Sequence, residues 1–212
     1  MAVPEIVGSP VIAAGENVRS LGLDVEIPQD TVHNLIVVGG WKQGGGSITA
    51  ISLYVDGVAA SLSGSGSLAG EGSDNIRMTL AQWRGLTAGK RRVHMITASS
   101  GSFTNAFLIA VLLSDAGVAT LGQGFTFPGS TPGITANSRY LLFYWGYGAT
   151  DILDGDLTSV LRVPTIGYGL GALNILTLAT TSALGGGFTV GPNSVGESAD
   201  IGGYAVVPYS AT

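Results

Sequence analysis

Cysteine is absent from this chain of 212 residues, which excludes disulfides, thiolate nucleophiles and cysteine-ligated metals. Histidine is nearly absent, with only His33 and His94. A hydroxyl nucleophile needs a base beside it, no G-x-S-x-G elbow occurs, and two imidazoles make a poor zinc site. His33 opens the apolar stretch HNLIVV and His94 alternates with Val93 and Met95, so both read as packing or surface residues. Charge is also scarce: charged residues are 11% of the chain, against roughly 25% in ordinary globular domains. The net charge of −5 argues against general affinity for nucleic acid, which depends on lysine and arginine neutralising phosphates. Long apolar runs are missing as well. The longest, Ala106–Leu113, falls far short of the roughly 20 residues of a membrane-spanning helix. MAVPEIVGSP has Glu5 and two prolines where a signal peptide has basic residues and an apolar run, so neither an export signal nor a membrane role is expected.

What is present is glycine, 34 residues of it, with apolar residues recurring throughout. Short apolar or β-branched runs alternate with Gly, Ser, Asn and Asp clusters, and helical periodicity is almost nowhere found. The pattern predicts strands over Val18–Ile27, Asn34–Trp41, Ile48–Val55, Arg77–Trp83, Arg91–Ala98 and Ala106–Ser114. It continues with Ala119–Phe127, Arg139–Tyr147, Leu157–Val163, Asn174–Thr180 and Gly202–Val207. Asp56-Gly57 suits a tight hairpin because both residues tolerate positive φ. AQWRGLTAG alone looks helical, and its two glycines make it a poor helix. Regular short strands with turn signals predict an all-β fold, an antiparallel sandwich or barrel rather than βαβ units.

Residues 1–17 read as an N-terminal arm and 18–212 as a single large sandwich. Ser61–Asp74 reads as a long Gly/Ser loop. A faint repetition suggests internal duplication with a boundary near 128–138: NLIVVGGWKQGGGSITAISLYV resembles RYLLFYWGYGATDILDGDLTSVLRV, and NAFLIAVLLSDAG has a counterpart in GGYAVVPYSAT.

Candidate sites are few. Asp151, Asp154 and Asp156 in DILDGD offer hard oxygen ligands that suit Ca2+, although the spacing does not match an EF-hand loop, and a solvated turn explains them too. The same carboxylates would be the pair used by a glycan hydrolase. Gly39–Ser47 is glycine-rich but lacks the order of a phosphate-binding loop and reads as a connection between strands. Trp41 and Trp145 suit either a sugar-stacking platform or core and interface packing. Five of the nine Lys and Arg residues lie between positions 77 and 92, with Lys90, Arg91 and Arg92 consecutive and Arg84 upstream. That run is compatible with an exposed turn, a docking patch for an acidic surface or, least well, contact with DNA.

The segment LGLDVEIPQDTVHNLIVVGGWKQGGGSITAISLYVDGVAAS resembles jelly-roll-like β-sandwich modules of the structural proteins of tailed bacteriophages. In those modules a strand ending LLVVGV is followed by ITSVTYGGxAL, then PAGTxTVTVT and a closing AVxxFSGV. The matching pieces here are Leu35–Trp41, Ile48–Ala60, Met78–Trp83, Leu86–Thr97 and Ala106–Gly117, with GKRR standing where the modules carry small neutral residues. The resemblance implies an all-β fold, an antiparallel β-sandwich of jelly-roll type, and a non-enzymatic virion protein, made in the host cytoplasm without an export signal. It would decorate or cement the capsid exterior as an oligomer, a trimer being the expected form. Its partners would be the major capsid protein, other virion proteins and its own copies; nucleic acid, membrane and cofactors are not expected. A tail-associated receptor- or glycan-binding module is the alternative. The residues expected to meet a partner are Arg84, Lys90, Arg91, Arg92, Trp41 and Trp145.

Overall fold

The computed structural model describes residues 6–29, 33–43, 51–59, 76–97 and 101–114, and after them the strands between 122 and 210 that are named below. The first series of strands is β1 (Val11–Val18), β2 (Ser20–Ile27), β3 (His33–Gln43), β4 (Ile51–Val55), β5 (Val58–Ala59), β6 (Ile76–Leu86), β7 (Gly89–Thr97) and β8 (Phe103–Ser114). There follow β9 (Gly122–Gly124), β10 (Gly129–Ser130), β11 (Ser138–Gly146), β12 (Thr158–Val163), β13 (Ala172–Thr180), β14 (Thr189–Val190) and β15 (Gly202–Ser210). The chain is all-β, and no helix is found among the described residues.

The first eight strands pair as a long hairpin folded over on itself. β4 meets β5, β3 meets β6, β2 meets β7 and β1 meets β8, all antiparallel. Two further antiparallel contacts, β3 with β8 and β4 with β7, gather the strands into the sheets β1-β8-β3-β6 and β2-β7-β4-β5. Nested pairing of this kind, wrapped into two facing four-stranded sheets, is jelly-roll connectivity, the type of sandwich that the resemblance implies. At the tip of the hairpin Val55 pairs with Val58 around Asp56 (φ 50°) and Gly57 (φ 80°). Two consecutive positive φ angles make the two-residue turn whose twist suits antiparallel strands.

The core lies between the two sheets. Alternate residues of β2 and β7 point inward, Leu21, Leu23, Val25 and Ile27 from one and Val93 and Met95 from the other, and meet Leu35, Val37, Leu108, Ala110 and Leu112 of the facing sheet. Outward positions of β2 and β7 carry Asp24, Glu26, Lys90 and Arg92, so this sheet has the alternation of one packed on a single face. The other sheet does not alternate. Ile36, Val38, Phe107, Ile109, Val111 and Leu113 fall on the face of β3 and β8 away from that core, and they too are fully buried. Strands covered on both faces read as continuous apolar runs, which accounts for LIVV and AFLIAVLL. In β3 the backbone is approached from both sides. A Cβ on Gly39 would collide with the Met95 sulfur, and one on Gly40 would collide with the Phe107 ring.

One expectation needs correction. The segment assigned to an N-terminal arm supplies β1, and the pairing with β8 reaches back to Ile6, which bridges Leu113, while the Val7 N–H donates to the Leu112 carbonyl. This is an edge strand, half exposed along its length and containing Gly15, Glu16 and Asn17, so its apolar signal is weak. AQWRGLTAG, read as a poor helix, is strand in its first part: Ala81–Leu86 completes β6, and Gly85 takes a φ of 65° close to its end. The five-stranded sheet β12-β13-β11-β15-β9 and the pair β10-β14 account for the remaining described strands. Ser61–Asp74, Asp151, Asp154 and Asp156 lie outside the described residues.

Candidate partner surface

The basic run lies on β7, at the centre of the sheet whose outer face is exposed. Pairing with β2 sets Glu26 opposite Lys90 and Asp24 opposite Arg92, and pairing with β4 sets Tyr54 opposite His94. Asp24 therefore receives two cations: Lys90 Nζ lies 2.9 Å from one carboxylate oxygen and Arg92 Nη1 lies 2.9 Å from the other. Arg92 also donates from Nε to His94 Nε2 at 3.1 Å. The imidazole and guanidinium lie over Gly22, where a Cβ would stand 2.6 Å from His94 and 2.7 Å from Arg92.

Arg91 belongs to the opposite parity and turns toward the end of the sandwich. Its Nη2 donates to the carbonyl of Thr87 at 2.8 Å and to the hydroxyl of Thr87 at 2.9 Å, and its Nη1 donates to Asp56 at 3.1 Å. The second oxygen of Asp56 accepts the backbone N–H of Arg92 at 2.8 Å. One carboxylate at the hairpin tip thus holds both the side chain and the backbone of the strand beside it.

The consequence for electrostatics is direct. Lys90, Arg91 and Arg92 stand among Asp24, Glu26 and Asp56, so three positive charges are balanced locally by three negative ones. Lys90 first and Arg92 second hold the Asp24 carboxyl below the ordinary aspartate range. The two pairs on Asp24 are largely solvated and each contributes little to stability. What the face offers a partner is a neutral ladder of charged and hydrogen-bonding groups, with Ile96 (40% exposed) and Val58 (65% exposed) as its apolar points.

The other expected contact residues scatter. Arg84 is exposed near the end of β6, where the neighbouring Gly85 N–H donates to Asn34 Oδ1 at 3.2 Å. Trp41 is buried to 2% exposure and its ring lies 6.0 Å from that of Phe103, so it fills the core between the sheets. Trp145 belongs to β11, and its side chain lies outside the described residues. Among the described residues no group of His, Asp and Glu suited to a metal ion occurs. Asp24 and Asp56 are the residues that sequence reasoning missed. Asp56 was visible as a turn residue, but nothing in the sequence pairs Asp24 with a strand 68 positions away.

Fold and surface together define an all-β jelly-roll protein with one exposed, charge-balanced sheet face. No protein-family model matches the chain and no curated protein matches it. Among solved structures the chain is similar to one in the atomic structure of Sulfolobus turreted icosahedral virus, with 11% identity, 98% of this chain and 90% of that chain covered, and a TM-score of 0.28. Likeness at that level does not bear on what this chain does.

Proposed function

We propose that this chain is a non-enzymatic virion structural protein that decorates or cements the exterior of a tailed-phage capsid as an oligomer, a trimer in the simplest form. The observation that carries this reading is the coincidence of the phage-module landmarks with a closed jelly roll. Leu35–Trp41 lies in β3, the Asp56-Gly57 hairpin joins β4 to β5, Met78–Trp83 lies in β6, and the pieces from Leu86 and Ala106 supply β7 and β8. The mechanism is burial of weakly polar surface against the major capsid protein or neighbouring virion proteins. Binding the assembled shell in preference to its dispersed subunits stabilises the shell by mass action.

Electron microscopy of particles made with and without this chain tests the reading. Density for the chain on the head exterior, together with earlier heat disruption of particles that lack it, is the expected result. Particles that lack the chain altogether would sink the proposal. Density confined to the tail tip would favour a receptor- or glycan-binding module instead, a reading weakened by the burial of Trp41.

A further inference from the structure

The strand order of the first series recurs in the second. In the first, the opening strand lies beside the last, the last beside the third and the third beside β6, while the second strand pairs with the one before last. Starting again at β9, the opening strand lies beside the last (β15), the last beside the third (β11) and the third beside β13, while the second strand (β10) pairs with the one before last (β14). The sequence repetition falls on equivalent strands: LIVVGGW in β3 answers LLFYWG in β11, and FLIAVLL in β8 answers YAVVPY in β15. The departure is β12, which joins the sheet edge beside β13, whereas β4 lies in the opposite sheet beside β7.

A second observation is independent of that order. The outer face of β3 and β8 is fully buried within a single chain, so the chain itself supplies the cover. Among the described strands outside the first series, β15 brings Cα atoms within 8 Å of β6, the neighbour of β3 in that sheet. The second sheet also has the composition of one packed on both faces. One set of alternating positions holds Tyr140, Leu142 and Tyr144, paired with Leu178, Leu176 and Asn174 of β13. The other holds Leu141, Phe143 and Trp145, paired with Val207, Ala205 and Gly203 of β15. A sheet packed on one face would be polar in one of these sets.

We infer that the chain is a tandem of two jelly-roll units, 11–114 and 122–210, and that the face formed by Ile36, Val38, Phe107, Ile109, Val111 and Leu113 is the docking surface of the first unit for the second. The join lies at 115–121, ahead of 128–138, because β9 and β10 are needed to open the second series. The inference does not depend on a virion role. It means that this apolar face is closed to outside partners, whose contacts must fall on other surfaces such as the outer face of β2-β7-β4-β5.

The test uses the full-length chain with a protease site inserted between residues 117 and 118. After cleavage the two pieces are expected to elute together on size exclusion, and Val111→Asp is expected to abolish that co-elution. Since the chain has no cysteine, Val111→Cys adds a single thiol to the face, and maleimide labelling is expected to be lost in the cleaved complex and restored in urea. Separation of the wild-type pieces overturns the inference, as does continued co-elution of folded Val111→Asp pieces. If Val111→Asp does not fold, the thiol decides: labelling of Val111→Cys while the pieces remain together overturns the inference, and protection upholds it.

Discussion

Arg91 differs from its two basic neighbours although the three are consecutive. Its side chain is 24% exposed, against 65% for Lys90 and 49% for Arg92, because strand parity turns it inward beside the hairpin tip. There it joins two turns through Thr87 and Asp56. Arg91→Ser is expected to lower the unfolding free energy by about 1–2 kcal/mol, the value of charge-assisted hydrogen bonds partly screened by solvent. Lys90→Ser should stay within about 0.5 kcal/mol, as exposed substitutions do. Urea denaturation compares the two, and equal effects would show that Arg91 is an ordinary surface cation. Asp24 adds a pH dependence. Lys90 and Arg92 lower its carboxyl pKa in the folded state, so folding favours the ionised form. That contribution is present at neutral pH and is lost as acid carries the group through its lowered pKa. Asp24→Asn should therefore flatten the decline of the urea midpoint between neutral pH and about pH 3. An unchanged slope would show that these ion pairs do not contribute.

At the scale of elements, β3 shows how two adjacent glycines serve two different faces. Gly39 is approached by the end of the Met95 side chain and Gly40 by the Phe107 ring. A thioether on rotatable bonds moves aside more readily than a buried aromatic ring. Gly40→Ala should cost about 1–3 kcal/mol and Gly39→Ala distinctly less, measured by thermal or urea unfolding. The reverse order would mean that the ring, not the sulfur, is the group that yields. Much at this scale was legible in the sequence. The alternation of Val93, Met95 and Thr97 with Arg92, His94 and Ile96 follows the two faces of β7, and Asp56-Gly57 forms the turn that its positive φ angles allow. β1 was not legible, because its short apolar run VIAA is followed at once by Gly15, Glu16 and Asn17 on a partly exposed edge strand. AQWRGLTAG was read as a poor helix, and the pairing of β6 with β3 outweighs what helix propensity it has.

At the scale of the whole molecule, closure of the jelly roll gathers charges that are far apart in the chain. Asp24, Glu26 and Asp56 reach the basic run through strand pairing and a hairpin tip, and together they balance the charge of Lys90, Arg91 and Arg92. On the proposed virion role, attachment to particles should change little as salt rises, because the basic run carries no unbalanced charge to steer it. Lys90→Ser combined with Arg92→Ser should keep its occupancy. Steep loss of wild-type protein at high salt, matched by loss of the double variant at low salt, would restore the basic run as the docking element.

The sequence by itself determined the all-β class, most of the strands, the hairpin tip and the inward set of β7, because each depends on local alternation and turn chemistry. Only the tertiary structure decided which carboxylates neutralise Lys90, Arg91 and Arg92, that Trp41 belongs to the core, and that β3 and β8 are buried on both faces. Those outcomes depend on register and sheet order, which join residues from distant parts of the chain. Alternation along a strand states which residues share a face, but not what the chain brings to cover it.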